Sequence, residues 1–378
     1  MWIAPSLVFW SSLGYLTYTY AGYPLLVRAL ARLHPQPPHP APIEPTVSVV
    51  LAARNEEAHI RTKLDNLLSL DYPRDKLQVV VVSDGSTDGT ESLVQRFGEP
   101  VELVSVPAGG KPRALNAGVA QARGEVVVLT DVRQRLAGDA LRVAASFFAD
   151  PRVGAVVGEL QLESKKGPGA YWAYEKWIRA AEATLDSVVG GSGCFTAIRR
   201  HLFRPLPEDI LLDDVWLPMQ IVLAGYRVLY RPEIKVFDRE ASVSGEFARK
   251  ARTLAGNFQL LEKMPELLDP TRNRLFLQFL SHKVLRLGCP FALLGLLGSN
   301  LALVLSGAPP WPLYAASLGA QLGGYALALH GALRGERAGR LSRLSHTFVT
   351  LNAAALEGLR RYASGDLRWT TQRHPVAA

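Results

Sequence analysis

The sequence predicts an α/β fold, a mostly parallel sheet carried between N- and C-terminal transmembrane helices. Two observations predict it. Between Val47 and Thr130, short β-branched runs alternate with helical stretches, which is how a parallel sheet with crossover helices reads. Residues 1–27 and 288–331 contain no Asp, Glu, Lys or Arg, and such runs are long enough to cross a hydrocarbon core of roughly 30 Å.

The elements follow in order. Residues 1–28 are expected to form a retained membrane helix. A cleaved signal would need a basic start and a shorter apolar core. Residues 29–45 read as an extended linker, because six prolines fall between His34 and Thr46. Residues 46–270 read as the folded domain. Strands are expected at 47–52, 78–83, 101–106 and 125–130, and helices at 56–70, 88–97 and 111–122. Residues 271–287 place Leu275, Phe276, Phe279, Leu280, Val284 and Leu287 at helical spacing beside Arg274, Lys283 and Arg286. That is an amphipathic helix at a membrane surface. Residues 288–331 form two apolar arms broken by Gly307 and three nearby prolines, a transmembrane hairpin. Residues 332–378 are a basic tail, with 344–356 as a further interfacial helix.

Composition narrows the class. Hydrophobic residues make up 48% and charged residues 20%, which excludes a disordered or collagen-like chain. Two cysteines, Cys194 and Cys289, exclude a disulfide scaffold and a four-cysteine zinc site. The net charge of +8 is placed largely beside the apolar runs, at Arg28, Arg32, Arg272, Arg274, Arg334, Arg337, Arg340 and Arg343. By the positive-inside rule these groups are cytoplasmic, which puts the N-terminus outside. The charge therefore reports topology, and no nucleic-acid partner is expected.

In a parallel sheet, ligands bind beyond the carboxyl ends of the strands. Here those ends carry Arg54-Asn55-Glu56, then Asp84-Gly85-Ser86-Thr87-Asp88, then Asp131-Val132-Arg133. Gly109-Gly110-Lys111 is followed by Pro112, so it is not a P-loop, and no G-x-G-x-x-G follows the first strand. Asp213-Asp214 lies between Leu211-Leu212 and Val215-Trp216-Leu217. Adjacent carboxylates in an apolar segment are costly unless they are used or paired. Gly191-Ser192-Gly193 would let backbone approach a ligand closely. Tyr171, Trp172, Tyr174 and Trp177 mark an aromatic helix expected to pack against the sheet, with a sugar-stacking platform as the alternative. Glu175 and Arg179 form an expected i,i+4 pair.

These motifs, with Ala114-Leu115-Asn116 and Ala224-Gly225-Tyr226-Arg227, together resemble a membrane-bound family 2 glycosyltransferase with the Rossmann-like GT-A fold, over roughly 47–261. The resemblance implies a nucleotide-sugar site formed by Asn55, Glu56, Asp84, Lys111, Asp131, Arg133 and Arg252. Lys111 would face the diphosphate, as would Arg252 in a stretch that lacks the Gln and Trp of processive members. Asp131 opens the family's D-x-D element and would hold Mg²⁺ or Mn²⁺, but Arg133 replaces its second acid. Asp214 would be the general base, supported by Asp213, with Gly191, Ser192 and Gly193 at the acceptor and sugar pocket. The implied activity is inverting transfer from a nucleotide-sugar, expected to be a UDP-sugar, to a lipid-linked or growing glycan. It would occur at the cytoplasmic face of an inner (plasma) membrane, in contact with membrane lipids, in cell-envelope or exopolysaccharide synthesis. A processive polysaccharide synthase and an inactive nucleotide-sugar sensor or scaffold are the alternatives.

Overall fold

The computed structural model describes residues 2–163, 169–239 and 243–366. The end of the basic tail, beyond residue 366, lies outside the described residues. Helices α1 (Ile3–Thr17) and α2 (Tyr23–Leu33) are joined by a π-helical turn, Tyr18–Gly22, into one rod. The turn falls just before Pro24, whose missing N–H cannot continue an α-helical ladder.

The chain then alternates as expected through β1 (Val47–Ala53), α3 (Glu57–Leu68), β2 (Leu77–Asp84), α4 (Thr90–Gln95), β3 (Val101–Val106), α5 (Lys111–Gln121) and β4 (Val126–Thr130). Beyond it come β5 (Arg135–Leu136), α6 (Ala140–Phe147), β6 (Val153–Glu163), α7 (Ala170–Leu185), β7 (Phe195–Arg199), α8 (Asp213–Leu223), β8 (Arg227–Arg239) and α9 (Val243–Lys263). One eight-stranded sheet has the order β3-β2-β1-β4-β7-β6-β8-β5.

The expectation of a mostly parallel sheet needs correction. β3, β2, β1 and β4 are parallel, but β7 runs antiparallel to both β4 and β6, and β5 antiparallel to β8. The sheet is mixed because β7 returns beside β4 in the opposite sense, so β6 and β8 join the sheet through an antiparallel neighbour. The parallel half keeps its strand ends level: Val47 pairs with Leu77 and Ala53 with Ser83. That alignment places the loops after β1, β2 and β4 along one edge.

Successive side chains leave opposite faces of a strand, so the valines of β1 and β2 feed two cores. Val50, Val80 and Val82 pack with Leu115, Val119, Val215 and Met219 under α5 and α8. Val49, Leu51, Val79 and Val81 pack with Ile60, Leu64, Leu141 and Phe147 under α3 and α6. α5 lies so close to the sheet that a Cβ on Gly118 would sit 2.4 Å from Val50 Cγ1.

After the domain, α10 (Phe276–Phe279), a π-helical turn (Leu280–Val284) and α11 (Leu285–Leu305) form one continuous helix, so the amphipathic stretch and the first arm of the hairpin run together. α12 (Trp311–Arg334) and α13 (Arg340–Ala363) follow. α1 packs on α11, α12 on α13, and α13 returns to α9. Phe9, Leu16, Cys289, Leu296, Leu303 and Tyr314 form a cluster of their own. Among the described helices, one, Phe276–Leu305, is long and apolar enough to cross a membrane. The N-terminal rod and α12 fall short, although they carry little charge. Ser11, Ser12, Tyr15 and Thr17 to Tyr20 dilute the first, and Gln321, His330 and four glycines dilute the second.

The aromatic helix packs against β8 of the sheet, as expected, and against the N-terminal rod as well. Ile178 and Ala181 of α7 pack with Tyr23, Val27 and Ala31 of α2, with Tyr174 and Trp177 alongside. Its apolar face thus docks the N-terminal rod. Glu175 pairs with Arg286 and His282 instead of Arg179, because the facing helix brings these cations to the buried side of α7.

Candidate active site

The strand ends build the site. After β1, Asn55 adopts φ +55° and its side-chain oxygen accepts the Thr87 N–H at 2.8 Å. The Asn55 amide therefore clasps the loop after β2. That loop turns at Gly85, φ +62°, where a Cβ would lie 2.8 Å from Ala108. Asp84, at the end of β2 and almost fully buried, accepts the N–H groups of Gly109 at 2.6 Å and Gly110 at 3.0 Å. Arg54, half-exposed, approaches Asp84 to 3.8 Å. Asp84 thus ties the segment before α5 to β2 and so fixes where Lys111 begins its helix.

Lys111 is the hub. Its Nζ lies 3.1 Å from Asp131 Oδ1 and 3.1 Å from Asp213 Oδ2. Burial works against its charge, but Asp131 and Asp213 more than compensate and hold the ammonium well above the usual lysine range. Lys111, Thr130, Asp131, Gly193, Thr196, Asp213, Asp214 and Leu217 line one cavity. Strand β4, helix α5, the glycine loop and the first turn of α8 therefore converge on it.

The adjacent aspartates separate in role. Asp213 is engaged with Lys111. The Asp214 carboxylate accepts no hydrogen bond and makes no ion pair among the described residues, while its backbone oxygen accepts the Gly191 N–H at 2.7 Å. Burial, then the charge of Asp213, push Asp214 up to about 6, against the pull of Lys283, Lys111 and Arg179. A carboxylate without a partner and with a raised pKa is suited to taking a proton near neutral pH. The positive end of α8 steadies both aspartates.

The other expected site residues are placed as follows. Arg133 does not face the cavity but pairs with Glu56, Nη2 to Oε1 at 3.2 Å. Glu56 also meets His59 at 2.9 Å. Arg252, half-buried on α9, feels the charges of Asp213, Asp214 and Asp131. Gly193 lines the cavity, and Gly191 carries the backbone contact to Asp214. The Ser192 hydroxyl turns away to Cys194 Sγ at 2.8 Å. Burial pushes the Cys194 thiol up to about 12, which leaves it a packing group.

Sequence reasoning missed Lys63. It is 2% exposed, and its Nζ donates to Thr130 Oγ1 at 3.2 Å and to the Gln134 carbonyl at 2.7 Å, so it braces the segment that carries Asp131. Burial pulls its pKa down to about 8. A signal was there: Lys63 stands three residues after Ile60 and one before Leu64, on the apolar stripe of its helix.

Among the described residues no three acidic, histidine or cysteine side chains gather as a metal cage. One carboxylate, Asp131, stands partly exposed at the strand end beside the cavity. That donor set fits a hard cation bound through one carboxylate, diphosphate oxygens and water.

Comparison with known proteins agrees with this geometry. Residues 48–206 match the model of glycosyl transferase family 2. A probable glycosyltransferase, YdaM, from Bacillus subtilis is 28% identical over 225 residues, 52% of this chain and 51% of that protein. A beta-monoglucosyldiacylglycerol synthase from Synechocystis is 30% identical over 49% of this chain and 42% of its own length. The chain spans about half the length of the curated relatives it matches. A solved mannosyltransferase from Pyrobaculum calidifontis, in complex with GDP-Man and Mn²⁺, superposes with a TM-score of 0.72 at 28% identity, over 94% of this chain and 99% of that one. Residues 48–206 thus resemble a glycosyl transferase family 2 domain, and the chain shares the GT-A-like α/β architecture of the solved mannosyltransferase.

Proposed function

We propose that the protein is an inverting glycosyltransferase that moves a sugar from a nucleotide-sugar to a lipid-linked or glycan acceptor at the cytoplasmic face of a membrane. The observation that carries this is the cavity in which Lys111 bridges Asp131 and Asp213 while Asp214 stands unbonded. Asp214 takes the proton of an acceptor hydroxyl as its oxygen attacks the anomeric carbon. The bond from that carbon to the diphosphate oxygen breaks, and the electron pair leaves with the nucleoside diphosphate. A single displacement inverts the anomeric centre. Lys111, with Arg252 nearby, meets the charge of the departing diphosphate. Asp131 would hold a divalent cation, Mg²⁺ or Mn²⁺, which when bound neutralises diphosphate charge.

The relatives support glycolipid or polysaccharide synthesis as the setting. Both GDP- and UDP-sugars belong in the donor panel, because the superposed mannosyltransferase was solved with GDP-Man. The membrane setting rests on the apolar helix Phe276–Leu305 and on large exposed side chains such as Ile3, Leu7, Trp10, Phe291, Leu294, Leu329 and Leu333.

The test is nucleoside diphosphate release by detergent-solubilised protein with a donor panel and lipid extract. Asp214→Asn is expected to lower release by about 10²–10⁴-fold with nucleotide binding kept within a few fold. Near-normal turnover in that variant would remove Asp214 from the base role. EDTA is expected to abolish release, and its indifference would leave Lys111 and Arg252 to neutralise the diphosphate alone. Nucleotide binding without release from any donor would favour the sensor alternative.

A further inference from the structure

The segment that carries Asp131 is laced to one helix, α3. Lys63 on α3 is 2% exposed, and its Nζ donates to Thr130 Oγ1 at 3.2 Å and to the Gln134 carbonyl at 2.7 Å. The two acceptors stand on either side of Asp131 in the chain. Further along α3, the Asn66 amide brackets Leu136, donating to its carbonyl at 3.1 Å and accepting its N–H at 2.8 Å. Just before α3, Glu56 takes Arg133 at 3.2 Å. Thr130 carries the connection onward. Its hydroxyl donates to the Cys194 carbonyl at 2.8 Å, and a carbonyl can only accept, so the direction of each bond from Lys63 onward is fixed. A buried chain of bonds therefore runs from α3 through the end of β4 to the glycine loop, whose Gly193 lines the active-site cavity.

A lysine is a costly way to fill that position. Lys63 shares the apolar stripe of α3 with Ile60, Leu64 and Leu67, where leucine or methionine would pack without giving up a hydrated charge. Both of its hydrogen-bond acceptors are neutral, so no carboxylate contact accounts for its burial. Burial lowers its pKa, and the charge of Asp131 is the largest that opposes this. An ammonium can donate in two directions at once, with charge-assisted bonds roughly twice as strong as neutral ones, and an apolar side chain cannot. Here the two directions are the residue before Asp131 and the residue three after it. Asp131 itself is left partly exposed, engaged by Lys111 at 3.1 Å.

We propose that Lys63 is a positioning residue of the donor site: it locks the loop 131–136 and the glycine loop together, so that the Asp131 carboxylate is presented to a divalent cation and the donor diphosphate in one orientation. The proposal deepens the glycosyltransferase reading and rests on it. Lys63 touches no reacting atom and acts through Thr130 and Gln134. Side chains that orient a metal-binding carboxylate in this way set how tightly the cation is held. With Arg133 in place of a second acid, Asp131 has no other carboxylate in the loop 131–136 to share that task.

The test uses the full chain in phosphatidylcholine nanodiscs. GDP and UDP binding are measured in Mn²⁺ and in EDTA, and backbone hydrogen exchange is followed by mass spectrometry. Lys63→Met is expected to fold, since methionine suits the apolar stripe. It should weaken the Mn²⁺-dependent gain in nucleotide affinity by about 10-fold or more, leave binding in EDTA unchanged, and raise exchange in residues 130–136 and 191–195. Thr130→Val removes the shared hydroxyl and should act in the same direction, whereas Thr130→Ser should behave as wild type. Ile60→Val thins the same stripe without removing a hydrogen bond, so it should lower the melting temperature and leave the Mn²⁺ effect in place. Unchanged exchange in both loops of Lys63→Met, or an undiminished Mn²⁺ effect, would overturn the proposal, as would the same losses in Ile60→Val. A wild type that binds neither nucleotide would instead count against the glycosyltransferase reading, and one that binds them equally with and without Mn²⁺ against a cation at Asp131. In both cases exchange in Lys63→Met would still decide whether Lys63 locks the two loops.

Discussion

Asp214 shows how one side chain couples chemistry to stability. Its folded pKa is about 6, above the ordinary carboxylate value of 3.8, with burial the first cause and Asp213 the second. Between those values the folded protein holds a proton that the unfolded chain has released. Stability contributed by the protonated form is therefore present below pH 4 and lost as pH rises through 6. Two outcomes follow. Turnover should fall about tenfold per pH unit below pH 6 and level off above it. Asp214→Asn should melt higher than wild type at pH 8, with the gap closing toward pH 4. A flat pH profile, or a variant that melts lower at pH 8, would contradict the assignment. Both aspartates were legible in sequence, because paired acids inside an apolar run need a reason. Which of them stays unbonded was not legible, since the answer depends on where Lys111 reaches. Arg133 was legible as a departure from D-x-D, but its pairing with Glu56 is set by the meeting of the β1 and β4 loops.

At the scale of elements, the parallel half of the sheet could be read strand by strand. Four-valine β2 is buried along its whole length, and that is why it reads as an unbroken apolar run. The second half could not be read in this way. β7 and β6 hold antiparallel partners, and β5 is two residues long, so no local pattern announces them. Packing of α5 offers a direct check. Gly118→Ala places its new methyl 2.4 Å from Val50 Cγ1 and 2.8 Å from Val82 Cγ2. The variant should lose roughly 1–3 kcal/mol by chemical denaturation. No loss would mean that α5 can lift from the sheet without cost, and Lys111 would then be less firmly placed than the geometry indicates.

Across the whole molecule, the N-terminal rod joins the domain to the apolar helices. α1 packs on α11 and α2 on α7, while Tyr23, Glu182 and His282 bond three segments far apart in sequence. Exposed apolar side chains remain on the outer faces of α1, α11 and α12. The protein is therefore expected to stay with the membrane fraction through alkaline carbonate extraction. Release into the supernatant would show that these faces are covered by something other than lipid. Charge-free runs predicted three spans, yet among the described residues one helix is long and apolar enough to cross a membrane. Absence of charge allows entry to a bilayer, whereas transfer of hydroxyl, amide and glycine-rich segments gains much less.

By itself the sequence determined the α/β alternation, the loops that carry Asp84, Lys111 and Asp131, and the Asp213-Asp214 pair, because each follows from short-range pattern or from the cost of burying charge. Tertiary structure alone decided the mixed sense of the sheet, the partner of Arg133, the burial of Lys63 against Thr130 and Gln134 and the isolation of Asp214. These features arise where segments far apart in the chain meet, and no local periodicity encodes which of them will face one another.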